Sequence, residues 1–297
     1  MARINKAIEL LDQGQPVYIT HTPGLDYENG KKMSKTYADM IIVDFEHHAF
    51  DIIGLRSFMK GLVDGGPTLS GHQTPTVFTT LPSNCTTVNE VLANAWQARH
   101  VLSTGVHGIL NTHTRSPEAV KAFVSICRYP FQTLGLDKGI PEGMRGAGGQ
   151  REPADIWNLS PAEYVKKADP WPLNPEGELL LGLKIEDRHC LEKADQIAGV
   201  PGISFAEWGP GDMGMSFGLP DAHDPPYPKE MDEARSIVKS ACEKSGVFFY
   251  SSWIDPEMND KQRIKYIIEE LNVKITGADS KEYADEGRRL TNRTMPY

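Results

Sequence analysis

Short runs of apolar residues recur along this chain of 297 residues and alternate with longer amphipathic stretches. Most of the runs are continuously apolar, which is typical of parallel strands that are covered on both faces. Eight runs are predicted as strands, at residues 16–20, 40–45, 76–80, 108–111, 179–185, 202–206, 247–250 and 274–276.

The stretches between the predicted strands carry apolar residues at helical spacing, for example along residues 88–102 and 234–242. Ser116, Pro117 and Glu118 form a typical helix start, with a capping side chain, a first-turn proline and a first-turn acid. Eight strands that alternate with helices predict an α/β fold, a closed (β/α)8 or TIM barrel. A doubly wound open sheet is the alternative.

Residues 129–177 interrupt this alternation, because they are rich in glycine and proline and too long for an ordinary connection between strand and helix. Segments of this kind often serve as lids or subunit contacts, and others are plain insertions. A barrel of this length commonly forms one domain. We therefore predict a single domain over residues 1–297 that carries a long insertion at about 129–177.

The composition narrows the classes of partner. The net charge of −9 argues against nucleic acid, because phosphate binding needs clustered lysine and arginine. No apolar run approaches the roughly 20 residues that span a membrane, and no secretory signal is recognised at the start, so a cytoplasmic location without membrane contact is expected. The cysteines are scattered without a CxxC pair, which predicts reduced thiols: Cys85, Cys127, Cys190 and Cys242.

Polar residues follow several of the predicted strands, and barrel enzymes place their chemistry at the carboxyl ends of strands. Glu186 follows the fifth strand, and Asp212 comes shortly after the sixth. Two carboxylates from separate strands, without cysteine or histidine beside them, suit a hard cation such as Mg²⁺ or Mn²⁺. We predict that Glu186 and Asp212 hold a divalent metal; the alternative is a pair of solvated loop acids.

Asp44 and His47 lie three residues apart at the end of the second predicted strand. A carboxylate can fix the tautomer of a neighbouring imidazole and raise its basicity. The pair is therefore a candidate catalytic base, and a surface or packing histidine beside an unrelated acid is the alternative.

Gly209, Pro210 and Gly211 form a segment that permits close approach to the backbone. The amides of Gly209 and Gly211 are candidates for binding a substrate carboxylate or an enolate oxygen. An ordinary tight turn explains the same three residues equally well.

Three of these segments together resemble the HpcH/HpaI hydroxyketoacid aldolases, also called class II pyruvate aldolases. VDFEH at residues 43–47 resembles the D-x-E-H segment of that family, and LKIE at 183–186 resembles its Q-I-E strand. GPGDM at 209–213 resembles the G-P-x-D-L turn, and SFG at 216–218 the S-x-G that follows it. Two weaker likenesses are RYP at 128–130 and RGAG at 145–148.

The resemblance implies a barrel that assembles as a homo-oligomer, usually a hexamer. It implies that Glu186 and Asp212 hold the divalent metal and that His47, oriented by Asp44, assists proton transfer at a substrate hydroxyl. It also implies a metal-dependent carbon–carbon lyase. Such an enzyme cleaves or forms a 4-hydroxy-2-keto acid, from or to pyruvate and an aldehyde, through a pyruvate-like enolate.

Three positions depart from the pattern of the family. Phe78 stands where the family has an arginine, Lys184 replaces the glutamine before I-E, and the fourth strand, usually apolar, leads into His113. Phe78 and His113 are therefore candidates for substrate contact. We predict that Lys184 is catalytic and supplies the positive charge that Phe78 lacks. Simple pairing of Lys184 with Glu186 or Asp187, or a Schiff base, is the alternative.

Because these substrate-facing positions differ, two further functions stay open beside the aldolase. One is another enolate-forming synthase or lyase on the same metal platform. The other is a non-catalytic barrel that binds a metabolite. Metal-dependent deuterium exchange into a small keto acid separates an enzyme from a binding barrel.

Overall fold

A computed structural model describes residues 3–297, and within this range the strands form one parallel sheet. The order of the strands is β4-β3-β2-β1-β9-β8-β7-β6-β5, and β4 also pairs with β6. This last pairing closes a barrel of eight strands and leaves β5 outside it. The strands are β1 (Val17–His21), β2 (Met40–Val43), β3 (Thr76–Asn84), β4 (Gly108–Thr112), β5 (Pro170–Trp171), β6 (Leu179–Lys184), β7 (Phe205–Glu207), β8 (Phe248–Tyr250) and β9 (Ile275–Gly277).

Helices follow the barrel strands in chain order, so the predicted (β/α)8 barrel is confirmed and the open sheet is excluded. Each of the eight predicted strands overlaps a barrel strand. The helices are α1 (Lys6–Asp12), α2 (Tyr27–Met33), α3 (Ile52–Asp64), α4 (Val88–Ala93), α5 (Ala95–Leu102), α6 (Pro117–Ile126), α7 (Arg151–Ile156), α8 (Pro161–Lys167), α9 (Ala194–Ala198), α10 (Pro210–Phe217), α11 (Lys229–Ser245), α12 (Asp260–Lys265) and α13 (Lys281–Leu290). Short 3-10 turns lie at Leu136–Lys138 and Leu191–Lys193, and a π-helical turn at Tyr266–Glu270.

The helix starts show how local sequence sets the element boundaries. Ser116 caps α6, because its side chain accepts a hydrogen bond from the backbone N–H of Ala119 at 3.1 Å. The apolar stripe along residues 88–102 is two helices rather than one. They meet at Asn94, whose backbone leaves the helical region and whose side chain donates to the carbonyl of Glu90 at 2.9 Å.

Large buried side chains pack against one another in the interior of the barrel. Gly182 leaves room for the ring of Phe205, because a Cβ at residue 182 would lie 2.2 Å from a ring atom. The Phe205 ring lies 5.9 Å from that of Phe78 and 6.3 Å from that of Tyr250. Barrel enzymes place their chemistry at the carboxyl ends of the strands, and we call this end of the barrel the mouth.

The insertion at residues 129–177 is folded and packs at the amino end of the barrel. Strand β5 extends the sheet beside the amino end of β6, where Trp171 pairs with Leu180. The Trp157 indole donates to the carbonyl of Gly105, just before β4, at 2.8 Å. A buried ion pair joins Arg128 to Asp169 at 2.6 Å. These contacts lie opposite the mouth, so the insertion does not cover the mouth as a lid would.

The four cysteines, Cys85, Cys127, Cys190 and Cys242, are buried and unpaired within the described residues. Within residues 3–297, every helix is too short or too polar to cross a bilayer.

Candidate functional site

Acidic side chains from three separate elements meet at the mouth. Glu46 follows β2, Glu186 follows β6, and Asp212 lies in the first turn of α10. With His113, just after β4, they offer four ligand atoms that all lie within 4.8 Å of one another. The structure thus brings together the two residues predicted as metal ligands and adds two more.

Two buried carboxylate oxygens in this cluster, Glu46 Oε1 and Glu186 Oε2, lack a hydrogen-bond partner within the described range. Burial raises the pKa of Glu186 well above its ordinary value, and the carboxylates of Glu46 and Glu207 add to the effect of burial. Buried anionic oxygens without partners are costly, and a cation would satisfy them. A set of three carboxylates and one imidazole fits a divalent metal.

Glycine at residue 209 makes room for Glu186. A Cβ at residue 209 would lie 2.7 Å from Glu186 Oε2, so the carboxylate packs directly against this backbone. Gly209 is also the residue that precedes α10, whose amino end favours nearby negative charge. Gly211 has a similar packing reason, since its Cβ would lie 3.2 Å from the ring of His223. Binding of substrate by these two glycines stays a prediction.

Asp44 and His47 form the predicted pair beside the acidic cluster. Asp44 Oδ2 lies 2.8 Å from His47 Nδ1, and Asp44 Oδ1 accepts a hydrogen bond from the hydroxyl of Thr80 at 3.0 Å. Burial opposes ionisation, but the hydrogen bonds from His47 and Thr80 lower the pKa of Asp44 below its ordinary value. An ionised Asp44 can only accept from Nδ1–H, which leaves His47 Nε2 free to take a proton. The side chain of His47 is 57% exposed, so a substrate can reach it.

Lys184 lies between two acids of the cluster. Its ammonium group pairs with Glu46 Oε2 and lies 3.6 Å from Glu186 Oε2. Burial alone would lower the pKa of Lys184, but the carboxylates of Glu207, Glu186 and Glu46 raise it above its ordinary value. A charged amine cannot attack a carbonyl, which disfavours the Schiff base. Among the described residues Asp187 pairs instead with Arg115, whose Nε lies 2.7 Å from Asp187 Oδ2.

Glu207 belongs to the same group of charges and escaped the sequence prediction. It is the register partner of Lys184 across β6 and β7, and of Tyr250 across β7 and β8. Its Oε2 is buried without a hydrogen-bond partner in the described part of the chain, and burial raises the pKa of Glu207 to about 7. The available signal was an acid at the end of an otherwise apolar strand.

Glu46 and Thr80 were also missed as site residues. Glu46 follows the same strand end as Asp44, in the 43–47 segment. Thr80 accepts hydrogen bonds from the backbone N–H groups of Phe45 and Glu46, at 2.7 and 2.9 Å. The hydroxyl of Thr80 therefore orders the turn that carries Asp44, a role that a strand threonine does not announce.

Phe78 does not lie at the mouth, which corrects the predicted placement. It is fully buried, pairs in register with Ile42 and Gly108, and packs against Phe205 inside the barrel. Strand β3 continues well beyond it, and Thr80 is the β3 side chain that contacts Asp44. The resemblance therefore placed the substrate-facing position of this strand at Phe78, one inward-facing residue before Thr80.

His113 lies inside the acidic cluster. Its backbone N–H donates to Glu186 Oε1 at 2.9 Å, and its φ of 45° is in the left-handed region. A cavity of about 290 Å³ opens at the ends of β1 and β2 and is lined in part by His21, Asp44 and His48. Asp44 therefore lines a cavity and also binds His47.

Two curated proteins show where the sequence likeness lies. The chain is 31% identical to a hydroxypyruvate/pyruvate aldolase of Deinococcus radiodurans over 120 residues. This matched segment covers 40% of this chain and 37% of that protein. The chain is 27% identical to a 2-keto-3-deoxy-L-rhamnonate aldolase of Klebsiella pneumoniae over 175 residues. This segment covers 59% of this chain and 57% of that protein. The chain thus spans between 37% and 57% of the length of these relatives.

Solved structures share the fold over nearly the whole chain. An HpcH/HpaI aldolase/citrate lyase family protein from Burkholderia cenocepacia J2315 has a TM-score of 0.68 at 17% identity, covering 96% of this chain and 97% of that one. The HpcH/HpaI aldolase from Desulfitobacterium hafniense DCB-2 has a TM-score of 0.65 at 19% identity, covering 96% of each chain. Residues 73–284, more than half of the sequence, match the HpcH/HpaI aldolase/citrate lyase profile. The chain belongs to the HpcH/HpaI aldolase/citrate lyase family.

Proposed function

We propose that this chain is a divalent-metal-dependent aldolase that cleaves or forms a 4-hydroxy-2-keto acid through a pyruvate-like enolate. The observation that carries the proposal is a cluster of cation ligands next to an oriented acid–histidine pair at one mouth. The names of the similar proteins, a hydroxypyruvate/pyruvate aldolase and a 2-keto-3-deoxy-L-rhamnonate aldolase, support aldol chemistry on a keto acid.

Glu186 and Asp212 are the residues that would hold the metal, with Glu46 and His113 beside them. A divalent cation supplies Lewis acidity to a keto acid when it is bound. Glu186 is buried and its Oε2 has no hydrogen-bond partner in the described chain, which is costly in free energy. This burial favours a role as a metal ligand over a role as a solvated loop acid.

His47 moves the proton at the substrate hydroxyl. In the cleavage direction Nε2 takes the proton of the C4 hydroxyl while the bond between C3 and C4 breaks. The C4 carbon leaves as an aldehyde, and the bonding electron pair becomes the enolate of pyruvate. A proton returned to C3 gives pyruvate. Asp44 holds the imidazole in place and stabilises its protonated form.

Two reactions test this division of work: cleavage of a 4-hydroxy-2-keto acid, and deuterium exchange into the methyl group of pyruvate. We expect His47→Ala to slow cleavage by roughly 10²–10⁴-fold, the usual contribution of a general base. Exchange should fall much less, because it involves no substrate hydroxyl. His100→Ala, at an exposed histidine on α5, serves as the matched control and should change neither rate.

A second variant tests the metal. Glu186→Gln should abolish both reactions together with metal binding, measured by titration calorimetry.

Equal and small effects of His47→Ala on the two reactions would show that His47 does not act as a base. Absence of metal-dependent exchange with any small keto acid would contradict the aldolase itself.

A further inference from the structure

We propose that His113 is a nitrogen ligand of the metal centre, so that the site selects a later first-row cation such as Co²⁺ or Zn²⁺ over Mg²⁺. The inference rests on the proposed function and deepens it, because it names the class of cofactor. The acidic residues alone predict a hard cation. His113 changes the chemistry of the donor set.

The imidazole of His113 lies between two acids of the cluster. Its Nδ1 is 3.4 Å from Glu186 Oε1, and its Nε2 is 3.4 Å from Glu46 Oε1. Both distances exceed that of a good hydrogen bond. Opposed ligands of an ion with bonds of about 2.1 Å lie roughly 4.2 Å apart. A cluster within 4.8 Å therefore needs to contract only slightly around a cation.

The backbone at His113 is held in an uncommon conformation. A φ of 45° is rare outside glycine, and such strained residues concentrate at functional sites. The conformation is fixed by the hydrogen bond from the backbone N–H of His113 to Glu186 Oε1 at 2.9 Å. The main chain and the ring of His113 thus face the same carboxylate.

Lys184 fixes the orientation of the other acid. Its ammonium group donates a hydrogen bond to Glu46 Oε2. Glu46 Oε1 is therefore the oxygen that faces His113, and it lacks a hydrogen-bond partner in the described chain. The donors around this point are one imidazole nitrogen and three carboxylates. Imidazole suits zinc and neighbouring transition metals, whereas Mg²⁺ prefers an all-oxygen shell that keeps several waters.

Titration of the chelator-treated full chain with Mg²⁺ and Co²⁺ measures this selectivity. We expect the wild-type chain to bind Co²⁺ much more tightly than Mg²⁺. His113→Asn is chosen because asparagine tolerates a left-handed backbone. It should weaken Co²⁺ binding by at least about 100-fold, because losing a group that only hydrogen-bonds a metal ligand already lowers metal affinity by up to about 100-fold. Its Mg²⁺ affinity should stay nearly constant. His100→Asn is the matched control and should alter neither affinity.

Pulsed EPR of Mn²⁺ bound to the wild-type chain gives a second readout that needs no variant. A ¹⁴N coupling to the ion supports the proposal, and its absence overturns it. Parallel losses of Co²⁺ and Mg²⁺ affinity in His113→Asn would also overturn it. If Glu186→Gln abolishes metal binding while His113→Asn behaves like its control, only the nitrogen ligand is wrong. If Glu186→Gln binds metal normally, the metal centre itself is wrong.

Discussion

At the scale of single residues, one ammonium group holds several acids together. Lys184 pairs with Glu46, lies 3.6 Å from Glu186, and faces Glu207 across the adjoining strand. Without this charge, three carboxylates would share a poorly hydrated pocket, where like charges repel strongly. We therefore propose that Lys184 positions Glu46 and Glu186 and that its effect on substrate acts through these two acids.

Removing the charge at residue 184 tests whether Lys184 positions the neighbouring acids or only fills space between them. With metal saturating, we expect Lys184→Met to lower turnover by roughly 10²–10³-fold, comparable to the loss of one transition-state donor. Metal affinity should not fall, because a neighbouring cation is removed. Lys184→Arg, which keeps the charge, should recover part of the turnover, and Lys193→Met at an exposed lysine should have no effect. Unchanged turnover in Lys184→Met would dispose of this role, and trapping of substrate by borohydride would revive the Schiff base.

At the scale of elements, the amino end of β4 is joined to the insertion through a buried histidine. His107 Nδ1 accepts a hydrogen bond from the backbone N–H of Val77 on β3 at 3.1 Å. The ring of His107 stacks on that of Trp157 at 5.5 Å. Burial lowers the pKa of His107 to about 3, so this histidine is neutral in the folded chain over most of the acid range.

The buried His107 should make stability depend on acid pH. Its pKa is about 3 when folded and roughly 6.5 when unfolded. Between these values the unfolded chain binds the extra proton, so the free energy of unfolding falls with falling pH, by at most about 1.4 kcal/mol per unit. The full contribution of His107 to the free energy of unfolding is present above about pH 6.5. Chemical denaturation of His107→Gln between these limits should show a shallower slope.

His100→Gln is the matched control for this measurement, because His100 is exposed and should keep the wild-type slope. An identical slope in His107→Gln and in the wild-type chain would contradict the assignment, whatever the absolute stability of the variant.

At the scale of the whole molecule, closure of the barrel creates the acidic cluster. Glu46, His113, Glu186 and Asp212 come from four connections spread over more than half of the chain. They meet because all the barrel strands are parallel, so every carboxyl end reaches the same rim. A ligand that binds these residues therefore binds only the closed, folded barrel.

Metal removal should accordingly destabilise the whole fold. A ligand at 100 times its dissociation constant stabilises the folded state by about 2.7 kcal/mol. We expect Mn²⁺ to raise the melting temperature of the wild-type chain and a chelator to reverse the rise. Glu186→Gln should lose the effect, and Glu192→Gln at an exposed acid should keep it. A rise of the same size in Glu186→Gln would contradict the location of the site.

Features that depend on near neighbours in the chain could be read from the sequence. The barrel strands were predictable because parallel strands covered on both faces are continuously apolar. Asp44 and His47 were predictable as a pair because they share one turn, and the structure joins them at 2.8 Å. Glu186 and Asp212 were selected because each follows a strand end, and the structure brings them together.

Features that depend on the register between distant strands were decided only by the tertiary structure. Whether Phe78 or Thr80 ends the inward row of β3 follows from pairing with β2 and β4, which no local pattern records. The pairing of Lys184 with Glu46 joins residues 138 positions apart. Glu207 becomes part of the site only because β7 lies beside β6. Local sequence determines which elements form, and barrel closure determines which of their polar side chains share one low-dielectric pocket.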